Sequence, residues 1–194
     1  MLRRTFALVA CVFLVSSCGA SSPPYNYKVE PDPRNSEFQI GPLDQLAVVV
    51  WRNRDLSAEV TVRPDGIVTL PLIGDLRAAG HTPTELQKEI AKRLAEFVRD
   101  EELVVSVGVT TVNSYQFTVM GAVERAGLYS ASRYVTALEA VAMAGGPNRF
   151  AGNELYILRG KPPRRIPIDL RRATSSEHAD ENLVLLRGDV VIVP

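Results

Sequence analysis

Between residues 62 and 82 the chain reads VRPDGIVTLPLIGDLRAAGHT, and it changes direction so often that no long element can form there. Pro64, Asp65, Gly66, Pro71, Gly74, Asp75 and Gly80 recur every few positions. Each residue type makes a bend for its own reason. Proline fixes φ, glycine reaches positive φ, and aspartate bonds its own backbone. The apolar residues come in short bursts between the bends, which suits strands and excludes a helix of several turns. Asp65 and Asp75 are thereby expected to be corners of a folded wall.

The same punctuation organises the rest. Residues 38–51, FQIGPLDQLAVVVW, place a Gly41-Pro42 turn before an apolar run, and 48–51 reads as a strand. Two β-rich runs, 58–62 and 67–70, are joined by Arg63-Pro64-Asp65-Gly66. Proline at i+1 and glycine at i+3 suit a type I turn, so these runs are predicted to pair as a hairpin. A further extended piece, 72–76, is bent by Gly74. A helix follows, with Thr82 as N-cap, Pro83 at its first position and Glu85 at its third. Leu86, Ile90, Leu94 and Phe97 fall on one face, and the end is expected near Arg99-Asp100. Residues 103–112 form the next strand.

The second half begins at residue 113. Strands are expected at 115–121, 153–160, 165–170 and in the closing GDVVIVP, which contains Gly188 and Asp189. Gly121 ends the first of these, and 122–130 read as a turn region. Thr136 and Glu139 make a capping box for a short helix that Gly145-Gly146 terminate. Residues 173–182 read as a polar loop. The order in this half, strand, turn, helix and three more strands, reads as a compact α+β module.

Residues 1–17 belong to a separate device. Arg3 and Arg4 precede an apolar run at 6–15 and then small residues, the layout of a secretory signal peptide. Ten residues rise only about 15 Å as a helix, about half a bilayer core, so the run is a poor permanent anchor. LVSSC at 14–18 resembles a bacterial lipobox, which implies acylation of Cys18 and cleavage before it; ordinary cleavage near Ser17 is the alternative. Several acyl chains hold a protein to a leaflet far better than one. Gly19, in place of aspartate, implies sorting to the outer membrane. Cys11 leaves with the signal, so no disulfide is expected. Residues 18–36, rich in Pro, Ser and Asn, read as lipidated terminus and linker.

Little in the sequence suggests catalysis. Lys+Arg and Asp+Glu both number 22, so no strong field points to nucleic acid. The densest basic cluster, Arg164-Arg165 with Arg171-Arg172, reads as a solvated edge. His81 and His178 stand far apart without metal-ligand spacing. There is no nucleophile elbow and no Walker loop. Glu101-Glu102 and Asp180-Glu181 are adjacent pairs, which a strand would point to opposite faces. Asp44, Asp65 and Asp75 each neighbour glycine or proline or their turns. No enzyme, cofactor or metal site is expected. The mature chain also lacks the ~20-residue apolar run of a spanning helix.

Taken together, residues 38–51, 60–94 and 103–109 resemble the polysaccharide biosynthesis/export domain of Wza-type outer-membrane exporters. Gly41, Pro42, Asp44, Asp65, Gly66, Pro71, Gly74, Ala79, Gly80 and Thr82 fall on that pattern; Leu43 departs from it, where the family usually has glycine. FTVMGAVERAGLYS, ALEAVAMAGG and GDVVIVP resemble the soluble-ligand-binding β-grasp module, SLBB. The resemblance implies an export domain at 37–112 followed by a single β-grasp domain at 113–194. It also implies a periplasmic, outer-membrane-anchored homo-oligomeric ring that passes capsular or exopolysaccharide outward. The expected partners are an inner-membrane polysaccharide co-polymerase, often a tyrosine kinase, and the polysaccharide cargo. The family's further modules and membrane-crossing C-terminal helix are not recognised here, so a separate outer-membrane β-barrel is expected to perforate the bilayer. A monomeric glycan-binding lipoprotein is the alternative.

Overall fold

A computed structural model describes residues 25–98 and 103–194. Cys18 with its lipobox, the expected helix end at Arg99-Asp100 and the Glu101-Glu102 pair lie outside the described residues.

Two hydrophobic cores form, one in each half. In the first, β1 (Gln45–Val50) is the middle strand of a sheet, flanked by β2 (Ala58–Thr61) and by β5 (Val105–Thr111), both antiparallel to it. Alternation turns Leu46, Val48 and Val50 inward. They meet a hairpin of β3 (Ile67–Leu70) and β4 (Gly74–Arg77) and the helix α1 (Pro83–Leu94), which contributes Leu86, Ile90 and Leu94. The predicted capping box is present in full, with Thr82 and Glu85 satisfying each other's backbone N–H groups.

Two expectations change here. The turn at residues 63–66 forms, with Gly66 N donating to Arg63 O at 2.8 Å, but the runs on either side of it do not pair as a ladder. β2 bonds β1 instead, and β3 bonds β4 one turn later, Ile67 opposite Arg77 and Leu70 opposite Gly74. That pairing puts Val68, Leu70 and Leu76 together in the core. The helix also stops earlier than its apolar face suggests. Glu96 N and Phe97 N donate only three residues back, to Arg93 O and Leu94 O, tightening the winding, and Phe97 is left 57% exposed.

The second core lies under a five-stranded sheet built from β6 (Gln116–Gly121), β7 (Gly127–Ser130), β8 (Glu154–Arg159), β9 (Arg164–Asp169) and β10 (Val190–Val193), with the spatial order β7-β6-β10-β8-β9. β7 occupies part of the expected turn region. β10 lies parallel to β6 and antiparallel to β8. α2 (Ala137–Met143), with Thr136 and Glu139 as its capping box, packs Ala137, Ala140 and Val141 inward. Gly145 and Gly146 follow it at positive φ, their N–H groups donating to Ala142 O and Val141 O. The expected polar loop holds the end of α3 (Leu170–Ala173) and a 3₁₀ stretch, Ser176–Glu181, whose Glu181 is buried and pairs with Arg172 at 2.6 Å.

The segment expected to be an unpatterned linker is docked from residue 25 onward. It makes 3₁₀ turns at Tyr27–Val29 and Pro33–Asn35, capped by Asn26 and Asp32. Tyr25 and Tyr27 pack against the second core.

Candidate functional site

The motif residues converge most closely where the two halves meet. Gly41-Pro42-Leu43-Asp44 is a tight turn, with Asp44 N donating to Gly41 O at 3.3 Å. Proline at i+1 and positive φ at i+2 define a type II turn, and Leu43 takes that second position at φ 70. The leucine adopts the conformation that glycine would adopt more cheaply. Asp44 is fully buried, and its carboxylate serves both halves. Oδ2 accepts from Gly41 N at 2.8 Å, within its own turn. Oδ1 accepts from Asn113 N at 2.8 Å and Ser114 N at 2.7 Å, and the Ser114 hydroxyl donates to Oδ2 at 2.7 Å. One buried carboxylate thus binds the first residues of the second half to the first strand of the first half. Such a group tolerates burial only because every oxygen is hydrogen-bonded.

Gly41 is needed at this junction for space, not for φ. A Cβ there would run into the Arg187 guanidinium and the Ser114 side chain. Arg187 crosses over Gly41 and donates to Gln39 O at 2.8 Å. Next to it, Gly188 N donates to Gln116 O, and Asp189 O accepts from Thr118 N.

Asp189 anchors a second buried cluster. Arg159 donates to it from Nε and Nη2, the shortest contact being 2.6 Å, and also donates to Val184 O at 2.8 Å. Its remaining Nη1 donates to Glu30 at 3.1 Å. Glu30 further accepts from the Tyr25 hydroxyl and pairs with Arg164 at 2.9 Å. The Arg159 and Glu30 side chains are 5% and 0% exposed. The docked N-terminal segment is therefore clasped to the second sheet by ions. Burial pushes the Glu30 carboxyl up, but the Tyr25 hydroxyl and the Arg164 and Arg159 guanidiniums outweigh it and hold it below its ordinary value. Burial pulls the Arg159 guanidinium down, and Asp189 and Glu30 more than restore it.

The remaining motif residues stay within their own halves. Asp65 accepts from Ile67 N and pairs with Arg63 at 2.6 Å. Asp75 accepts from the Thr69 hydroxyl at 2.6 Å and meets the same Arg63 at 3.3 Å. Pro71 opens the β3–β4 turn. Gly66, Gly74, Gly80, Gly121 and Gly188 all sit at positive φ. A Cβ on Gly121 would strike the Val193 carbonyl, so β6 and β10 can meet at their ends only with glycine there. His81 and His178 belong to different halves; His178 lies 3.8 Å from Glu181. No group of three or more potential metal ligands occurs among the described residues. Ser114, Arg159, Glu30 and Arg187 went unsingled in the sequence. Arg159 alone had a signal, since it continues the inward parity of Leu155 and Ile157 along β8.

Each half of the chain matches a known family model. Residues 32–108 match the family described as polysaccharide biosynthesis/export protein, and residues 115–193 match the SLBB domain. The chain is 33% identical over 128 residues to the exopolysaccharide production protein ExoF of Rhizobium meliloti (strain 1021), covering 60% of this chain and 30% of that one. It is 25% identical over 180 residues to the EPS I polysaccharide export outer membrane protein EpsA of Ralstonia nicotianae, covering 80% and 47%. It is 28% identical over 134 residues to the capsule polysaccharide export outer membrane protein CtrA of Neisseria meningitidis serogroup A, covering 69% and 33%. The chain thus spans between 30% and 47% of the length of these relatives. From its two matched modules, in this order and joined at Asp44, the chain belongs to the polysaccharide biosynthesis/export family, with an SLBB domain following the export domain.

Proposed function

We propose that this protein is a non-enzymatic component of a capsular or exopolysaccharide export apparatus, held at the periplasmic face of the outer membrane by acyl chains on Cys18. Copies assemble side by side into a closed ring through heterologous contacts, and the polymer passes through it. An inner-membrane co-polymerase feeds the ring, and a separate β-barrel carries the chain across the bilayer. The observation that carries this reading is the succession of an export domain and an SLBB domain locked by one buried carboxylate. Relatives named for polysaccharide export at the outer membrane support it. No helix among the described residues is long and apolar enough to cross a membrane. The domain extents expected from the sequence, 37–112 and 113–194, and the structural roles of Gly41, Asp44, Gly121 and Asp189 form part of the proposal.

The test is genetic and physical together. Deleting the gene should abolish surface polysaccharide, and a Cys18→Ser copy should fail to restore it while accumulating detached from membranes. Native mass spectrometry of the acylated protein in detergent should give one closed multimer. Unchanged export in the deletion strain would remove the reading. A monomer under all conditions would leave a glycan-binding lipoprotein in its place.

A further inference from the structure

Two adjoining hollows open where the halves meet. One, of about 300 Å³, is lined by Phe38, Val109, Val112, Tyr115, Arg133 and Tyr134. The other, of about 410 Å³, shares Phe38, Tyr115 and Tyr134 and adds Gln39 and Arg187. Both fall in the size range of small-molecule sites. Their shared wall is aromatic. Tyr115 and Tyr134 stand edge to face, centroids 5.3 Å apart. Tyr115 is buried and fixed at its hydroxyl, which donates to Leu185 O and accepts from Val135 N. It therefore serves as a rigid backing against which Tyr134 and Phe38 present partly open rings.

The charge at this wall is positive. Arg187 bonds only a neutral acceptor, Gln39 O, and no carboxylate pairs with it among the described residues. Arg133, on the other side, is mostly exposed and shares Glu139 at 3.0 Å. The acids nearby are already committed. Asp32 pairs with Arg34 at 2.7 Å, and Glu37 accepts from the Thr84 hydroxyl at 2.8 Å. Arg187 is held in place because Gly41 has no side chain. Rings beside an unneutralised guanidinium suit a ligand with one apolar face and one anionic group. A pyranose offers C–H groups to a ring face, and a uronic acid adds a carboxylate that a guanidinium can grip with two parallel hydrogen bonds.

We propose that the junction cleft binds a uronic acid unit of an acidic glycan, with Tyr134 and Phe38 against the sugar face and Arg187 on its carboxylate. The inference rests on the export reading for the source of its ligand, but its test does not. Calorimetric titration of the purified protein with trigalacturonic acid should show saturable binding, and uncharged maltotriose should bind about tenfold more weakly. Arg187→Gln and Tyr134→Ala should each weaken trigalacturonate binding about tenfold with an unchanged circular dichroism spectrum. Gly41→Ala should do the same by displacing Arg187; if it misfolds, Arg187→Gln and a loss of affinity in high salt still decide the matter. Absence of trigalacturonate binding at millimolar concentration, equal binding of both sugars, or variants that bind like the parent would each overturn the proposal. Uronate binding by a protein whose deletion leaves export intact would keep the cleft and remove the export reading. Loss of export on deletion without uronate binding would do the reverse.

Discussion

Leu43 carries a local conflict that its neighbours resolve. At φ 70 an L-residue with a Cβ costs about 1–2 kcal/mol, yet the type II turn must form for Asp44 to reach Asn113 and Ser114. Leu43 is 47% exposed, so its side chain repays little by burial. Glycine would relieve the strain but cost about 0.5–1 kcal/mol in unfolded-state entropy. Leu43→Gly is accordingly expected to leave urea stability unchanged or raise it by up to about 1 kcal/mol, whereas Leu43→Val, β-branched at positive φ, should lower it. Asp44→Asn should be worse than either. An amide puts an N–H group where the carboxylate accepted one, and an unmet buried donor costs about 1–3 kcal/mol. The expected sign is a lower midpoint of thermal unfolding together with a broader range of inter-domain distances in small-angle scattering.

At the level of elements, α1 depends on its first turn. Thr82→Ala removes the acceptor for Glu85 N and should cost about 1 kcal/mol in chemical denaturation. Caps of this kind were legible in the sequence because their partners lie three residues away. The turn at 63–66 was legible for the same reason. Strand pairing was not, because the choice of β4 over β2 as the partner of β3 depends on which arrangement buries Val68, Leu70 and Leu76 at once. Nor was the helix end, since Phe97 keeps the spacing of the apolar face but loses its position when the last turn tightens. Of the junction, Gly41, Pro42 and Asp44 could be read from local turn chemistry. Their partners Asn113, Ser114 and Arg187 are distant in sequence, and nothing near them announces a buried carboxylate. Glu30 stood in a stretch without periodicity, and only the fold reveals that Arg159 needs it.

For the whole molecule, the ionic clasp decides where the N-terminal segment lies. Glu30 titrates below its ordinary value of 4.5, so its contribution is complete above that pH and is lost as pH falls through the lowered value. Hydrogen exchange should therefore show residues 25–36 protected at neutral pH and released in acid while both cores remain closed. Arg159→Ala leaves Asp189 buried without its ion-pair partner and Glu30 with Arg164 alone, and should cost about 3–5 kcal/mol, read as an early loss of the second half in thermal melts. The strand order carries one more consequence. β10 is the last strand of its sheet in chain order and the middle one in space, with β6 on one side and β8 on the other. Until it inserts, the sheet is two separate ladders, β7-β6 and β8-β9, with no backbone link between them. The backbone ladder of this half is therefore continuous only once Val190–Val193 lie between the two pairs, so its sheet closes last at its centre.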